Sequence, residues 1–181
     1  IREDPELADA RVYQSFWWFG GEKKIFGFVI TPRQGEALRR LLRETKVIVR
    51  AYVDSSFVND YFSIVTGLID GEEKEELWVI SHIDHPMPGA EDNASGVGVS
   101  LEIARTLNKL RLDGKLPVMK RGIRFIYTAE FMGTAAYVAY RFDDVKSNRI
   151  IGAVNLDMVG SSEEHGSTLL IIEPPYEMGS Y

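Results

Sequence analysis

Between Leu77 and Leu107 the chain reads LWVISHIDHPMPGAEDNASGVGVSLEIARTL, and no other segment restricts the fold as tightly. Leu77 to Ser81 is a short apolar run of the kind a buried strand shows. From about Ala94 onward Val97, Leu101, Ala104, Leu107 and Leu110 recur at helical spacing, and Asp92 or Asn93 is placed to cap that helix. The loop between strand and helix holds two histidines and several carboxylates, which is the chemistry of a metal site. An acid at the helix start feels the positive end of the helix dipole and stays ionised. His82, at the other end of the loop, emerges from the carboxyl end of a strand, where open α/β sheets build their binding crevices.

The same pattern occurs twice more. In Gly122 to Glu130, GIRFIYTAE, a β-rich run ends on a carboxylate and is followed by Gly133 and a helix-like TAAYVAYRF. In Ile150 to Gly160, IIGAVNLDMVG, Asp157 interrupts an otherwise apolar strand, where a lone carboxylate is costly. Three strands thus deliver a polar group at or near their carboxyl ends, and parallel neighbours bring those ends together. Each residue alone has a plainer role. Asp92 alone reads as a helix cap, His82 as a hydrogen-bonded loop histidine, and Asp157 as an acid satisfied by backbone amides or by Asn155. Their conjunction favours a shared cation.

The successive motifs HID, GAEDNASG, the TAE strand end and NLDMVG resemble those of zinc-dependent aminopeptidases of the bacterial leucyl aminopeptidase kind, in peptidase clan MH. That group also contains glutamate carboxypeptidase and glutaminyl cyclase. The resemblance runs from Phe62 to about Gly160. It implies a three-layer α/β/α fold with a central mixed, mostly parallel sheet. It implies that His82, Asp92 and Asp157 are metal ligands, that Asp84 orients His82, and that Glu130 is the general base. It further implies a peptide substrate, a cis peptide after Asp92, and zinc as the metal, with cobalt or manganese as substitutes.

Two departures bear on the metal count. Members with a full two-metal site carry two consecutive glutamates at the third motif, whereas here Glu130 is followed by Phe131, which cannot bind zinc. The family's last histidine ligand lies well beyond the NLDM motif; His165, in a polar SSEEHGS stretch, comes too early and reads as an ordinary loop residue. One tightly bound metal is therefore expected. His85, in His82-x-x-His85-Pro86, resembles a divergent branch with a lone glutamate at the third motif. It reads as a loop residue shaped by Pro86, with ligation as the alternative.

The chemistry of the residues agrees. Zinc accepts histidine nitrogen and carboxylate oxygen and leaves a position for water in catalytic sites, and with no cysteine a thiolate zinc site is excluded. A metal acidifies water and polarises a carbonyl, so that a carboxylate such as Glu130 has only to take and return one proton. Rival readings are weaker. Gly96-x-Gly98 lacks the third glycine of a dinucleotide fingerprint, and Ser95 has no nucleophile elbow. A peptidase-like binding or assembly domain without catalysis, and a single-zinc acyltransferase of the glutaminyl cyclase kind, are the alternatives that Phe131 leaves open.

The 181 residues, 45% of them hydrophobic, suffice for one medium domain or a domain plus a piece of another. The net charge of −6 and the lack of a basic cluster argue against nucleic-acid binding. No apolar run reaches membrane-spanning length, so no membrane association is expected; absence of cysteine suits a cytoplasmic setting, and a homo-oligomer is compatible with the whole. The chain begins at Ile1 without methionine and reads as a fragment or processed form. Residues 1–50 read as an accessory segment, resembling the end of a protease-associated domain, and 51–181 as a metallopeptidase-like domain incomplete at its C-terminus. In the first part, Trp17 and Trp18 read as core aromatics. Thr31-Pro32-Arg33-Gln34 opens a helix to about Thr45 with a capping-box pattern, and KVIVRAYV reads as a strand. FSIVTGLI and LWVIS read as strands of a hairpin turning at Asp70-Gly71, and Leu112 to Arg121 as a polar loop.

Overall fold

The structure is a computed structural model that describes residues 5–11, 23, 25–162, 164 and 166–173. Trp17, Trp18 and His165 lie outside the described residues. The chain divides into two compact units, Ile1–Val58 and Asn59–Tyr181.

In the first unit α1 spans Pro32–Glu44. Its start is built as the sequence indicates: the Gln34 N–H donates to Thr31 Oγ1 at 3.2 Å, and the Thr31 N–H donates to Gln34 Oε1 at 3.0 Å. Pro32 fits because the first helical position has no use for an N–H. KVIVRAYV does not form a strand: residues 46–53 carry no ladder and are mostly exposed. β-propensity requires a neighbouring strand to take up the backbone groups, and no strand is described in this unit.

The second unit holds β1 (Val65–Ile69), β2 (Glu76–His82), α2 (Gly96–Leu112), β3 (Gly122–Thr128), α3 (Met132–Tyr140), α4 (Phe142–Lys146) and β4 (Ile150–Asn155). The sheet order is β1-β3-β2-β4. β2 runs parallel to both β3 and β4, and β1 is antiparallel to β3. The expected hairpin between β1 and β2 is therefore absent, because β3 lies between them. The connecting segment hooks onto the approach to β3 instead, with the N–H groups of Glu72 and Glu73 donating to the carbonyls of Met119 and Lys120 at 3.0 and 2.8 Å.

Side chains alternate across β3 and divide the core into two layers. Phe125 and Tyr127 pack with Ile69 beneath Val97, Ala104 and Leu107 of α2. Ile126, between them in sequence, packs with Trp78 and Tyr137 against Val138 and Val145 on the opposite face. One helix layer on each side of a mixed, mostly parallel sheet is the three-layer α/β/α arrangement. The second layer is tied down by a buried ion network. Glu76, at the start of β2, accepts two bonds from Arg124 at 2.7 Å each, one from Trp78 Nε1 at 3.0 Å and one from Arg141 at 3.3 Å. Burial works against the Glu76 carboxylate, but these donors outweigh it and hold its pKa down to about 2.

Among the described residues no helix is long and apolar enough to cross a membrane.

Candidate metal centre

Parallel pairing brings the carboxyl ends of β3, β2 and β4 level with one another. His82 is paired with Thr128, and Ile80 with Asn155. The ladder continues one residue past each strand, with the Ile83 N–H donating to Thr128 O and the Leu156 N–H to Ile80 O, both at 2.9 Å. His82 is thus the last residue of β2, Glu130 lies two beyond β3, and Asp157 two beyond β4. Asp157 stands just past its strand rather than within it, which spares the sheet a charge in its interior.

Asp92 comes from the irregular turn before α2, where Asp92 (φ −101°, ψ 96°) and Asn93 (φ −129°, ψ 36°) leave helical geometry. The Asp92–Asn93 peptide is cis, as the resemblance implies. The capping work falls to Asn93, whose Oδ1 accepts the Gly96 N–H at 3.1 Å. Asp92 is left to face the site.

His82, Asp92 and Asp157 form a group whose ligand atoms all lie within 4.8 Å of one another. His82 Nε2 is 3.0 Å from Asp92 Oδ1 and 3.3 Å from Asp157 Oδ1. Its Nδ1 lies 2.9 Å from the main-chain carbonyl of Asp84, a contact that only an Nδ1–H can make favourably. In the neutral ring Nε2 then carries a lone pair directed at two carboxylates, and in the charged ring a proton takes the place of the cation. Such an arrangement calls for a cation between them, and the separations match those of neighbouring ligands on one tetrahedral zinc, about 3.3 Å for bonds of about 2.0–2.1 Å. The residues present therefore fit a divalent metal.

The surrounding charge points the same way. Burial lowers the affinity of His82 for a proton, yet the Asp84 carbonyl and the carboxylates of Asp157, Glu130 and Asp92 more than offset this, and its pKa is raised. Glu130 is also raised, first by burial; the acids Asp157, Asp92 and Asp84 add to that, while His82 opposes it. A carboxyl raised in this way is suited to accept and return a proton.

Asp84 differs in detail from the sequence expectation. Its carboxylate stands 3.7 Å from His82 Nδ1, so the ring is held by the main-chain carbonyl of the same residue. The carboxylate itself accepts the Glu130 N–H at 2.7 Å. His85, which reads from the sequence as a loop residue with ligation as the alternative, places Nε2 3.4 Å from Asp92 Oδ2.

Phe131 adopts φ 47°, ψ −61°, and the Met132 N–H reaches back to the Glu130 carbonyl to close a γ-turn of the rarer, strained hand. The turn leaves the phenyl ring exposed in a cleft of about 370 Å³ lined also by Ile80, His82, Glu130, Thr134 and Asp157.

Asn93 has a role that sequence reasoning did not reach. Its Nδ2 donates to Leu156 O at 3.0 Å and its Oδ1 also accepts the Met158 N–H at 3.3 Å, so one side chain joins the α2 turn to the segment bearing Asp157. The signal was the polar pair Asp92-Asn93, in which only one residue can cap.

Fold and site together define an α/β protein with a candidate metal centre at the carboxyl ends of its parallel strands. Residues 64–176 match peptidase family M28, and the chain belongs to that family. Over 102 residues it is 36% identical to aminopeptidase YwaD of Bacillus subtilis (strain 168), covering 52% of this chain and 20% of that protein. The fold is similar to that of the crystal structure of a putative peptidase from Clostridium acetobutylicum, with a TM-score of 0.57 and 22% identity over 88% of this chain and 33% of the other. The chain thus spans a fifth of the first relative and a third of the second.

Proposed function

We propose that this chain carries the catalytic centre of a metal-dependent aminopeptidase that removes an N-terminal residue from a peptide. The observation that carries this reading is the convergence of His82, Asp92 and Asp157 on one point, with Glu130 beside it at the carboxyl ends of parallel strands. YwaD, to which 102 residues are 36% identical, is named an aminopeptidase, which supports it further.

His82, Asp92 and Asp157 would hold one zinc, or cobalt or manganese in its place. Bound there, the ion supplies Lewis acidity to the scissile carbonyl and to a water. Glu130 takes a proton from that water as its oxygen adds to the carbonyl carbon. When the C–N bond breaks, the same proton passes from Glu130 to the departing amine nitrogen, and the carboxylate is regenerated. Asp84 fixes the Glu130 main chain through the 2.7 Å bond to its N–H, and its own carbonyl fixes the His82 ring. Phe131 supplies no ligand for a second ion, so one metal is held tightly.

The test is zinc-dependent release of N-terminal residues by the full-length protein, removed by a chelator and restored by zinc. Cyclised rather than hydrolysed product would move the site to the acyltransferase class, and bound zinc without any turnover would move it to a binding role.

A further inference from the structure

We infer that Ser95, acting with Asn93, is a positioning residue that fixes the distance between Asp92 and Asp157 before any ion arrives, and that this fixed spacing widens the preference of the centre for zinc over a larger divalent ion. The inference rests on the metal reading just proposed.

Asp92 and Asp157 stand in segments far apart in the chain, the turn before α2 and the stretch after β4. Side chains that closely follow Asp92 hold main-chain groups on both sides of Asp157. Asn93 Nδ2 donates to the Leu156 carbonyl at 3.0 Å, Asn93 Oδ1 accepts the Met158 N–H at 3.3 Å, and Ser95 Oγ accepts the Val159 N–H at 3.1 Å. Asp157 is thus tied at the residue before it and at the two after it. The Ser95 hydroxyl works in both directions, because it also donates to the Glu91 carbonyl at 2.6 Å. One oxygen therefore links the backbone just before Asp92 to the backbone just after Asp157. Met158 adopts φ 51°, the left-handed region that a residue with a side chain enters only where its surroundings hold it, and the successive N–H groups of Met158 and Val159 both face the turn. Gly160 completes the approach, since a Cβ there would lie 2.5 Å from Ser95 Cβ.

None of these bonds passes through a cation. Two carboxylates of like charge are held together by the chain itself, which spares an arriving ion the cost of gathering them. A ligand set held in this way favours the ion whose bonds it matches. Zinc takes four ligands at about 2.0–2.2 Å, whereas manganese(II) favours six oxygen-rich ligands and a larger cage. Zinc already leads manganese in intrinsic affinity, and the clasp adds to that lead. Loosening it should cost zinc more than manganese.

The experiment uses metal-stripped full-length protein, wild type and Ser95→Ala, titrated with zinc and with manganese(II), with hydrogen exchange of the peptide covering residues 156–160 followed by mass spectrometry. The segment should be protected in the metal-free wild type and should open in Ser95→Ala. The variant should lose about tenfold or more in zinc affinity and less than about threefold in manganese affinity, with β3 still protected as the sign that it folds. Equal losses for the two ions, or none, would overturn the inference and leave the metal site standing. A segment that exchanges freely until zinc is added would overturn it as well, because the ion would then be what gathers the ligands. No zinc bound by the wild type would overturn the metal reading together with it.

Discussion

The carboxylate of Asp84 accepts the main-chain N–H of Glu130 at 2.7 Å, tying the loop after β2 to the turn after β3. The two residues come from neighbouring strand ends, and the bond sets the distance between the base and the imidazole whose ring the Asp84 carbonyl holds. Asp84→Ala should therefore lower kcat about 10- to 100-fold, the usual cost of losing a residue that supports a metal site. Because the carbonyl remains, the tight zinc affinity should change little. Asp84→Asn keeps an acceptor oxygen and should retain most of the activity. Steady-state kinetics with metal analysis on both variants separates these effects.

Glu130→Gln preserves shape but cannot carry a proton between water and the leaving amine. Turnover should fall by roughly a hundredfold or more with zinc content unchanged. Activity equal to the wild type would remove Glu130 from the reaction.

Gly96 opens α2 where the helix passes the Asp157 segment. A Cβ there would collide with the Leu156 carbonyl and with Asn93 Oδ1. Gly96→Ala should push apart the two segments that carry Asp92 and Asp157, weakening zinc binding at least tenfold. Isothermal titration of the purified variant reads this directly, and the helix itself, for which alanine is the better former, should persist in circular dichroism.

The buried network around Glu76 makes a separate prediction about pH. Its folded pKa, about 2, lies below the ordinary value of 4.5, so its contribution to stability is complete above about pH 4.5 and is lost as pH falls toward 2. That contribution is on the order of 3 kcal/mol by linkage. Glu76→Gln strips the charge from two buried arginine contacts and should cost about 3 kcal/mol at neutral pH. It should also flatten the acid limb of the stability curve. Urea unfolding at several pH values checks both.

Much of the second unit was legible because each strand is short, apolar and closed by a polar residue. The βα alternation around His82, Glu130 and Asp157 led to a parallel sheet, and a parallel sheet places strand ends together. Strand order was not legible. Nothing in FSIVTGLI or LWVIS states that β3 lies between them; that is decided by Glu76 meeting Arg124 and by Trp78 and Ile126 sharing one face, contacts between residues far apart in the chain. KVIVRAYV shows the converse failure, where local preference lacks a partner strand among the described residues. Within the site, residue types were legible and hydrogen-bond assignments were not. Whether the Asp84 side chain or its carbonyl holds His82 depends on the path of the loop, as does the direction in which His85 points.

The proposed metal centre stands on the three-residue group of His82, Asp92 and Asp157. Elemental analysis of the full-length protein after exhaustive dialysis, alongside the same analysis of Asp157→Asn, tests it most directly. The prediction is one zinc retained per wild-type chain and none in the variant, with aminopeptidase activity lost in step. Undiminished zinc in Asp157→Asn, or two ions held with equal tenacity in the wild type, would contradict it.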